Sequence, residues 1–200
     1  MKRSNQCEEN DYRYTPLDVM DAIFGPALVY DLAADDIVPT AGAPDHAVVT
    51  YNTDHDLLTD EGHMNIVADI QIVGGVDYLF INPPYSKMAG GIGVFWKAAV
   101  AVANDVGVPL VMLTNSRSSS SQWYHDALKM SQFSCNLNSR ISFDIISPAR
   151  PVRVPQKGNA AAQTLFVYSP YDSIPSRLLA RIDMMGTCQT VIEWEDDADE

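Results

Sequence analysis

The chain has 200 residues, of which 46% are hydrophobic, so it can bury the core of one globular domain and is not a disordered protein. No apolar run reaches the roughly 18 residues that a membrane span needs, and the N-terminal stretch MKRSNQCEENDYRY lacks the apolar segment of a secretory signal. Cys7, Cys135 and Cys188 are odd in number and form no C-x-x-C pair, so we expect free thiols, no structural zinc and a cytoplasmic location.

The net charge of −13 is unevenly distributed along the chain. Residues 1–70 hold 14 acidic and 3 basic side chains, a net of −11, and residues 182–200 hold 7 acidic side chains and no basic one. Residues 71–181, with 5 acidic and 10 basic side chains, carry a net of +5. The middle of the chain can therefore meet a polyanion that both ends repel, although a solvated surface explains the same pattern equally well.

The first predicted element is a helix that begins near Thr15. Thr15 is expected to cap its N-terminus, Pro16 to occupy its first position and Gly25 to end it. Strand-like and helix-like segments then follow in alternation. The predicted strands are residues 27–30, 46–51, 77–81, 108–113, 141–146 and 164–168, and the further predicted helices are residues 95–103, 122–130 and 176–183.

This alternation predicts an α/β doubly wound sheet that is mostly parallel. The last two predicted strands follow each other without a helix between them, so we expect them to form a C-terminal antiparallel hairpin. The expected domain organisation is an N-terminal arm at residues 1–13, a folded domain at residues 14–183 and an acidic tail at residues 184–200.

Three polar residues lie at or just past the ends of predicted strands, namely Asp31, Asp56 and Asn82. Ligands of doubly wound sheets bind just beyond the carboxyl ends of the strands. We therefore expect the three side chains to converge on one crevice.

The most informative motif is Asn82-Pro83-Pro84-Tyr85, which directly follows the predicted strand 77–81. The amide oxygen of Asn82 and the carbonyl oxygen of Pro83 can accept two hydrogen bonds from one amino group. Two such acceptors stabilise the positive charge that an aromatic amine acquires when it attacks a methyl donor. Tyr85 can stack on a base that has been flipped out of a duplex. The alternative without a catalytic role is a Pro-Pro turn that ends the strand beside a surface tyrosine.

With further segments, this motif resembles the phage-type DNA N6-adenine methyltransferase (Dam) family. The similar segments run in the family's order through most of residues 14–170, among them YTPLDVMDAI, YDLAAD, FINPPYS and VMLTNSRSSSSQWYHDAL. The resemblance implies a single-domain, Rossmann-like methyltransferase fold with S-adenosylmethionine as cofactor. It also implies that the substrate is adenine in double-stranded DNA, in the cytoplasm of a bacterial host.

The resemblance further implies roles for individual residues. The catalytic residues would be Asn82, Pro83, Pro84 and Tyr85. The residues that bind the donor would be Thr15, Pro16, Asp31, Leu32, Ala33, Ala34, Asp56, Leu57 and Asn82. The residues that contact DNA would be Ser86, Lys87, Arg117, Trp123 and Arg140. The first strand lacks the F-x-G-x-G glycines of many adenine methyltransferases, which leaves the detailed donor contacts open.

Two alternatives to adenine methylation stay open from the sequence. The same motif can grip a base amine in RNA or a glutamine side-chain amide in a protein. A catalytically silent relative, by contrast, would use its acidic surface to mimic DNA and bind a host protein, as the charge of −13 suggests. The intact Asn82-Pro83-Pro84-Tyr85 motif argues against lost chemistry.

Overall fold

The computed structural model describes residues 14–33, 48–49, 56–83, 91–116, 119–146, 153–155, 161–171 and 173–190. The helices within these ranges are α1 (Leu17–Phe24), α2 (Asp60–Ile72), α3 (Ile92–Val106), α4 (Gln122–Met130) and α5 (Ser176–Asp183). The strands are β1 (Val29–Asp31), β2 (Val48–Val49), β3 (Tyr78–Ile81), β4 (Leu110–Asn115), β5 (Phe133–Leu137), β6 (Asp144–Ile146), β7 (Arg153–Pro155), β8 (Gln163–Tyr168) and β9 (Gly186–Thr190). Among the described residues, no helix is long and apolar enough to cross a bilayer.

Within the described residues, the main sheet has seven strands in the order β2-β1-β3-β4-β8-β5-β9. Strands β2, β1, β3 and β4 are parallel, whereas β8 is antiparallel to both of its neighbours and β9 is antiparallel to β5. The predicted α/β doubly wound, Rossmann-like class is thereby confirmed. Since β9 pairs with β5, the sheet continues past residue 183, where we expected the folded domain to end.

The antiparallel part of the fold has different partners from those predicted. We expected residues 141–146 to pair with residues 164–168, and that pairing is wrong. β6 pairs with β7 in a separate two-stranded sheet, while β8 lies between β4 and β5. The physical reason is burial, because the backbone N–H and C=O groups of the first five, buried residues of β8 are shielded from water and need a neighbouring strand on each edge.

The sheet is covered by helices on both faces. On one face, which we call the α3 face, Leu79 and Ile81 of β3 belong to a buried cluster with α2, α3 and α4. On the opposite face, which we call the α1 face, Tyr78 and Phe80 of the same strand belong to a cluster with α1 and α5. Successive side chains of a strand point to opposite faces of the sheet, so alternate residues of each strand belong to different hydrophobic cores.

The start of α1 differs from the prediction. The N-cap position is occupied by Pro16, whose carbonyl accepts the N–H groups of Val19 and Met20, and no side chain caps the helix. Thr15 is buried, and its hydroxyl oxygen has no hydrogen-bond partner among the described residues. The predicted capping role of Thr15 is therefore wrong, and its hydroxyl is available for another role.

Candidate active site

The carboxyl ends of β1 and β3 bring Asp31 and Asn82 together. The two strands are parallel, with Asp31 opposite Phe80, and the N–H of Leu32 donates to the carbonyl of Phe80 at 2.8 Å. Asn82 follows the last residue of β3 directly. Since adjacent strands lie about 4.8 Å apart, these two side chains belong to neighbouring positions at one edge of the sheet. That Asp56 joins them in one crevice stays a prediction.

Asp31 and Asn82 also share one face of the sheet. Val29 and Phe80 contribute to the core on the α1 face. Side chains two residues apart on a strand point to the same side. Asp31, two residues after Val29, therefore lies on the α1 face. Asn82 follows the strand and precedes a proline, which favours extended backbone, so the alternation continues and places it on the same face.

The N-terminus of α1 reaches the same edge and the same face. A short turn at Gly25, which adopts a φ of 59°, connects the end of α1 to β1, so the helix runs antiparallel to the strand it precedes. Its eight residues rise about 12 Å, which carries Thr15 and Pro16 back to the carboxyl edge. The unpartnered hydroxyl of Thr15, a residue that is only 7% exposed, therefore lies on the face that carries Asp31 and Asn82.

Both aspartates of the candidate site order a tight turn. The Oδ1 atom of Asp31 accepts the N–H of Ala33 at 3.0 Å, and the Oδ1 atom of Asp56 accepts the N–H of Leu58 at 3.0 Å. Leu57 is 3% exposed and lies in the α3-face core with Leu32. Each carboxylate thus fixes the backbone of the turn on which it stands.

Gly62 is a residue of this region that the sequence analysis missed. It lies in the first turn of α2, where its N–H donates to the Thr59 hydroxyl at 3.0 Å. A Cβ atom at this position would lie 2.1 Å from the carbonyl oxygen of Asp56. The absence of a side chain therefore lets the Asp56 loop pack directly on the helix, and the Gly three residues after Thr59 is the only sequence signal of this contact.

The segment that precedes α1 is fastened to the C-terminal half of the chain. Tyr14 and Asp144 exchange two backbone hydrogen bonds of 2.8 and 2.9 Å. The buried Gln163 accepts the N–H of Ile141 at 2.9 Å and donates to the carbonyl of Ala161 at 2.7 Å. These bonds connect strand β8 and the segment before β6 to the start of α1, beside the candidate site. No local feature of the sequence predicts them.

Two of the predicted DNA-contacting residues lie at this edge with different exposures. Arg140 is exposed in the loop after β5. Because β4 and β5 are both antiparallel to β8, they run parallel to each other, so the loop after β5 lies at the carboxyl edge. Trp123 is half-buried, and its ring lies 5.6 Å from the ring of Tyr124. A Cβ atom on Gly93 would lie 2.7 Å from the Cβ of Trp123, so the first turns of α3 and α4 are in contact.

Tyr30 precedes Asp31 and is fully buried on the α3 face. Burial, reinforced by the charges of Asp69 and then Asp31, raises the pKa of the Tyr30 hydroxyl well above its ordinary value. The hydroxyl therefore stays protonated around neutral pH and cannot act there as a base.

Several predicted site residues lie outside the described residues. Of the catalytic motif, the structure describes Asn82, which is half-buried, and Pro83, which is buried. The site residues that it does not describe are Ala34, Pro84, Tyr85, Ser86, Lys87 and Arg117.

Comparisons with known proteins identify the family. The family model described as DNA N-6-adenine-methyltransferase (Dam) matches residues 4–190. No curated protein matches the chain. Three chains of solved structures match, among them a SAM-dependent O-methyltransferase from Thermotoga maritima. That chain is 12% identical, with a TM-score of 0.38, over 88% of this chain and 70% of its own length. The resemblance seen in the motifs is confirmed by the family match over nearly the whole chain, and the protein belongs to the DNA N-6-adenine-methyltransferase (Dam) family.

Proposed function

We propose that the protein transfers a methyl group from S-adenosylmethionine to the N6 amino group of adenine in DNA. Family membership makes it a methyltransferase with S-adenosylmethionine as donor. The observation that carries the proposal is the position of Asn82, directly after a buried parallel strand and beside Asp31 on the face where α1 begins. A donor bound along this edge lies next to an acceptor held by Asn82.

The residues at this edge fit the donor. S-adenosylmethionine ends in an ammonium and a carboxylate, and it carries an adenine at its other end. The carboxylate of Asp31 suits the ammonium, and the buried, unpartnered hydroxyl of Thr15 suits a polar group of the amino-acid end. Asp56 and the buried Leu57, which follow β2 in the chain, suit the adenosine part. When bound, the donor supplies an electrophilic methyl group on a sulfonium.

Asn82 and Pro83 hold the acceptor amine. The Oδ1 atom of Asn82 and the carbonyl oxygen of Pro83 accept its two N–H groups, and Pro83 has no N–H of its own to compete. The lone pair of adenine N6 is delocalised into the ring, so the amine is a weak nucleophile. Two acceptors in a half-buried site stabilise the positive charge that develops on the nitrogen during attack. The catalytic contribution of Asn82 and Pro83 is therefore positioning and electrostatic stabilisation.

Duplex DNA has to present the adenine outside the helix. Extruding a paired base costs a few kcal/mol, and stacking on an aromatic side chain returns about 1–3 kcal/mol. We assign this stacking to Tyr85 and the surrounding DNA contacts to Trp123 and the exposed Arg140. The remaining residues assigned to DNA contacts are Ser86, Lys87 and Arg117. The net charge of +5 over residues 71–181 favours the approach of this part of the chain to a polyanion.

The decisive experiment incubates the protein with unmethylated duplex DNA and S-adenosylmethionine carrying a tritiated methyl group. The DNA is then digested, and the labelled nucleoside is identified. We expect label in the N6-methylated adenine nucleoside. Donor binding without labelled DNA would contradict the proposal in favour of an RNA or protein acceptor. Absence of both binding and label would favour an acidic DNA mimic.

The donor role of Thr15 is tested by the Thr15→Val variant. Because the hydroxyl is buried without a partner, its removal should leave the thermal stability of the free protein unchanged or slightly higher. Donor affinity should fall about 5- to 10-fold, which corresponds to the roughly 1 kcal/mol of one hydrogen bond. Calorimetric titration measures the affinity, and Thr15→Ser should retain it. Equal donor affinity in Thr15→Val and the unmodified protein would remove Thr15 from the donor site.

The donor role of Asp31 is tested by Asp31→Asn. The asparagine oxygen can still accept the N–H of Ala33, so the turn after β1 is kept while the negative charge is lost. A hydrogen bond to a charged group contributes about 1.5–3 kcal/mol, so we expect donor affinity to fall by at least about tenfold. Asp60→Asn, at an exposed position in the first turn of α2, is the matched control and should bind normally. Equal affinities in the two variants would contradict the assignment.

A further inference from the structure

Two cysteines that are far apart in the sequence lie directly opposite each other in the sheet. Cys135 of β5 and Cys188 of β9 are register partners on antiparallel strands. Both side chains belong to the α1 face, where Cys135 is part of the core and Cys188 packs against it. Their sulfur atoms lie 3.6 and 3.7 Å from one acceptor, the carbonyl oxygen of Ile182 in α5. The two thiols are therefore neighbours.

The hydrogen-bond pattern fixes the kind of pair that the cysteines form. The N–H of Asn138 donates to the carbonyl of Met185 at 2.9 Å, and these residues continue the same β5–β9 register. Hydrogen-bonded and non-hydrogen-bonded pairs alternate along antiparallel strands. Three residues further along, Cys135 and Cys188 form a non-hydrogen-bonded pair, with a Cα separation of about 4.5 Å. This distance lies within the roughly 4.4–6.8 Å range that disulfides span.

We propose that Cys135 and Cys188 form a reversible disulfide when the folded protein meets a small-molecule disulfide. In the first step the Cys188 sulfur attacks one sulfur of the oxidant, a mixed disulfide forms, and one small thiol leaves. In the second step the Cys135 sulfur attacks the Cys188 sulfur, the protein disulfide forms, and the second small thiol leaves. The two protons of the protein thiols pass to the two leaving thiolates, and the oxidant takes up the two electrons.

The order of the two steps follows from exposure. Cys188 is partly exposed, whereas Cys135 is 1% exposed and cannot meet a solute first. Burial is the main cause that raises the pKa of both thiols. Since the thiolate is the attacking species, the rate should rise about tenfold per pH unit until the pKa of Cys188 is reached. The bond would fasten β9 to β5, its only neighbouring strand in the main sheet among the described residues.

The test uses the full chain with Cys7→Ser, which removes the third cysteine. The folded protein is incubated with oxidised glutathione at mildly alkaline pH and analysed by mass spectrometry. We expect the loss of two hydrogens, a linked peptide pair containing Cys135 and Cys188, and a melting temperature higher by about 4–16 °C. Dithiothreitol should reverse all three changes. A stable mixed disulfide with glutathione, or two unmodified thiols, would overturn the proposal.

Two matched variants in the same background test the mechanism. Cys135→Ser should stop at the mixed disulfide on Cys188, because no second thiol resolves it. Cys188→Ser should react at least about tenfold more slowly, because only the buried Cys135 remains. The opposite order of reactivity would overturn the assignment of Cys188 as the attacking thiol.

Discussion

Replacing Asn82 with alanine is expected to lower the rate of methyl transfer by about 10²- to 10³-fold, the effect of removing one preorganised electrostatic contact to a transition state. The side-chain oxygen is one of two acceptors assigned to the adenine amine, and the Pro83 carbonyl alone cannot hold both N–H groups. Asn82 directly follows a strand whose four residues are all buried, so the shortened side chain should leave the fold intact. Single-turnover kinetics with saturating donor and duplex DNA measure the rate.

Two controls distinguish lost chemistry from lost binding in the Asn82→Ala variant. Donor affinity, measured by calorimetry, should fall by no more than about tenfold, because one neutral hydrogen bond contributes roughly 0.5–1.5 kcal/mol and the carboxylate of Asp31 remains. Asn138→Ala, which truncates an exposed amide in the loop after β5, should keep normal turnover. A normal rate in Asn82→Ala would remove Asn82 from catalysis, and an equal loss of donor binding and rate would make it a donor ligand only.

The position of Asn82 could be predicted because its signal is local. Two prolines after an apolar run end a strand wherever the strand lies in the sheet, and β3 ends at Ile81 as expected. The partners of β8 could not be predicted in the same way. They depend on β5, whose short sequence FSCNL alternates apolar and polar residues but was not predicted as a strand. Strand pairing is a long-range property, because the sequence of one strand does not determine which other strand lies beside it in the sheet.

The same limit applies to the candidate site. Thr15 was expected to cap α1, since a threonine before Pro-Leu-Asp is typical of a helix start. A capping hydroxyl and a ligand-binding hydroxyl look alike in a sequence, and the structure excludes only the capping role, because the buried oxygen has no partner among the described residues. The cross-strand pairing of Cys135 with Cys188 could not be predicted either, because it follows from the register of two strands that were not predicted.

Replacing Gly62 with alanine should destabilise the protein and weaken donor binding together. The new Cβ atom would lie 2.1 Å from the carbonyl oxygen and 2.5 Å from the amide nitrogen of Asp56. These are backbone atoms, so either α2 or the Asp56 loop has to move. Overpacking of this kind costs about 1–3 kcal/mol. Since the displaced loop carries Asp56 and Leu57, we expect donor affinity to fall about tenfold or more.

The sign of the stability change makes the Gly62→Ala experiment decisive. At an unobstructed helix position, alanine in place of glycine stabilises a protein by about 0.5–1 kcal/mol. The close approach of the Asp56 backbone predicts the opposite sign, which urea denaturation can measure. Met64→Ala, a change at a 64% exposed position of the same helix, should alter neither stability nor donor affinity. A more stable Gly62→Ala variant with unchanged donor affinity would mean that the Asp56 loop neither rests on α2 nor holds the donor. A less stable variant with weakened donor binding would tie the loop to both.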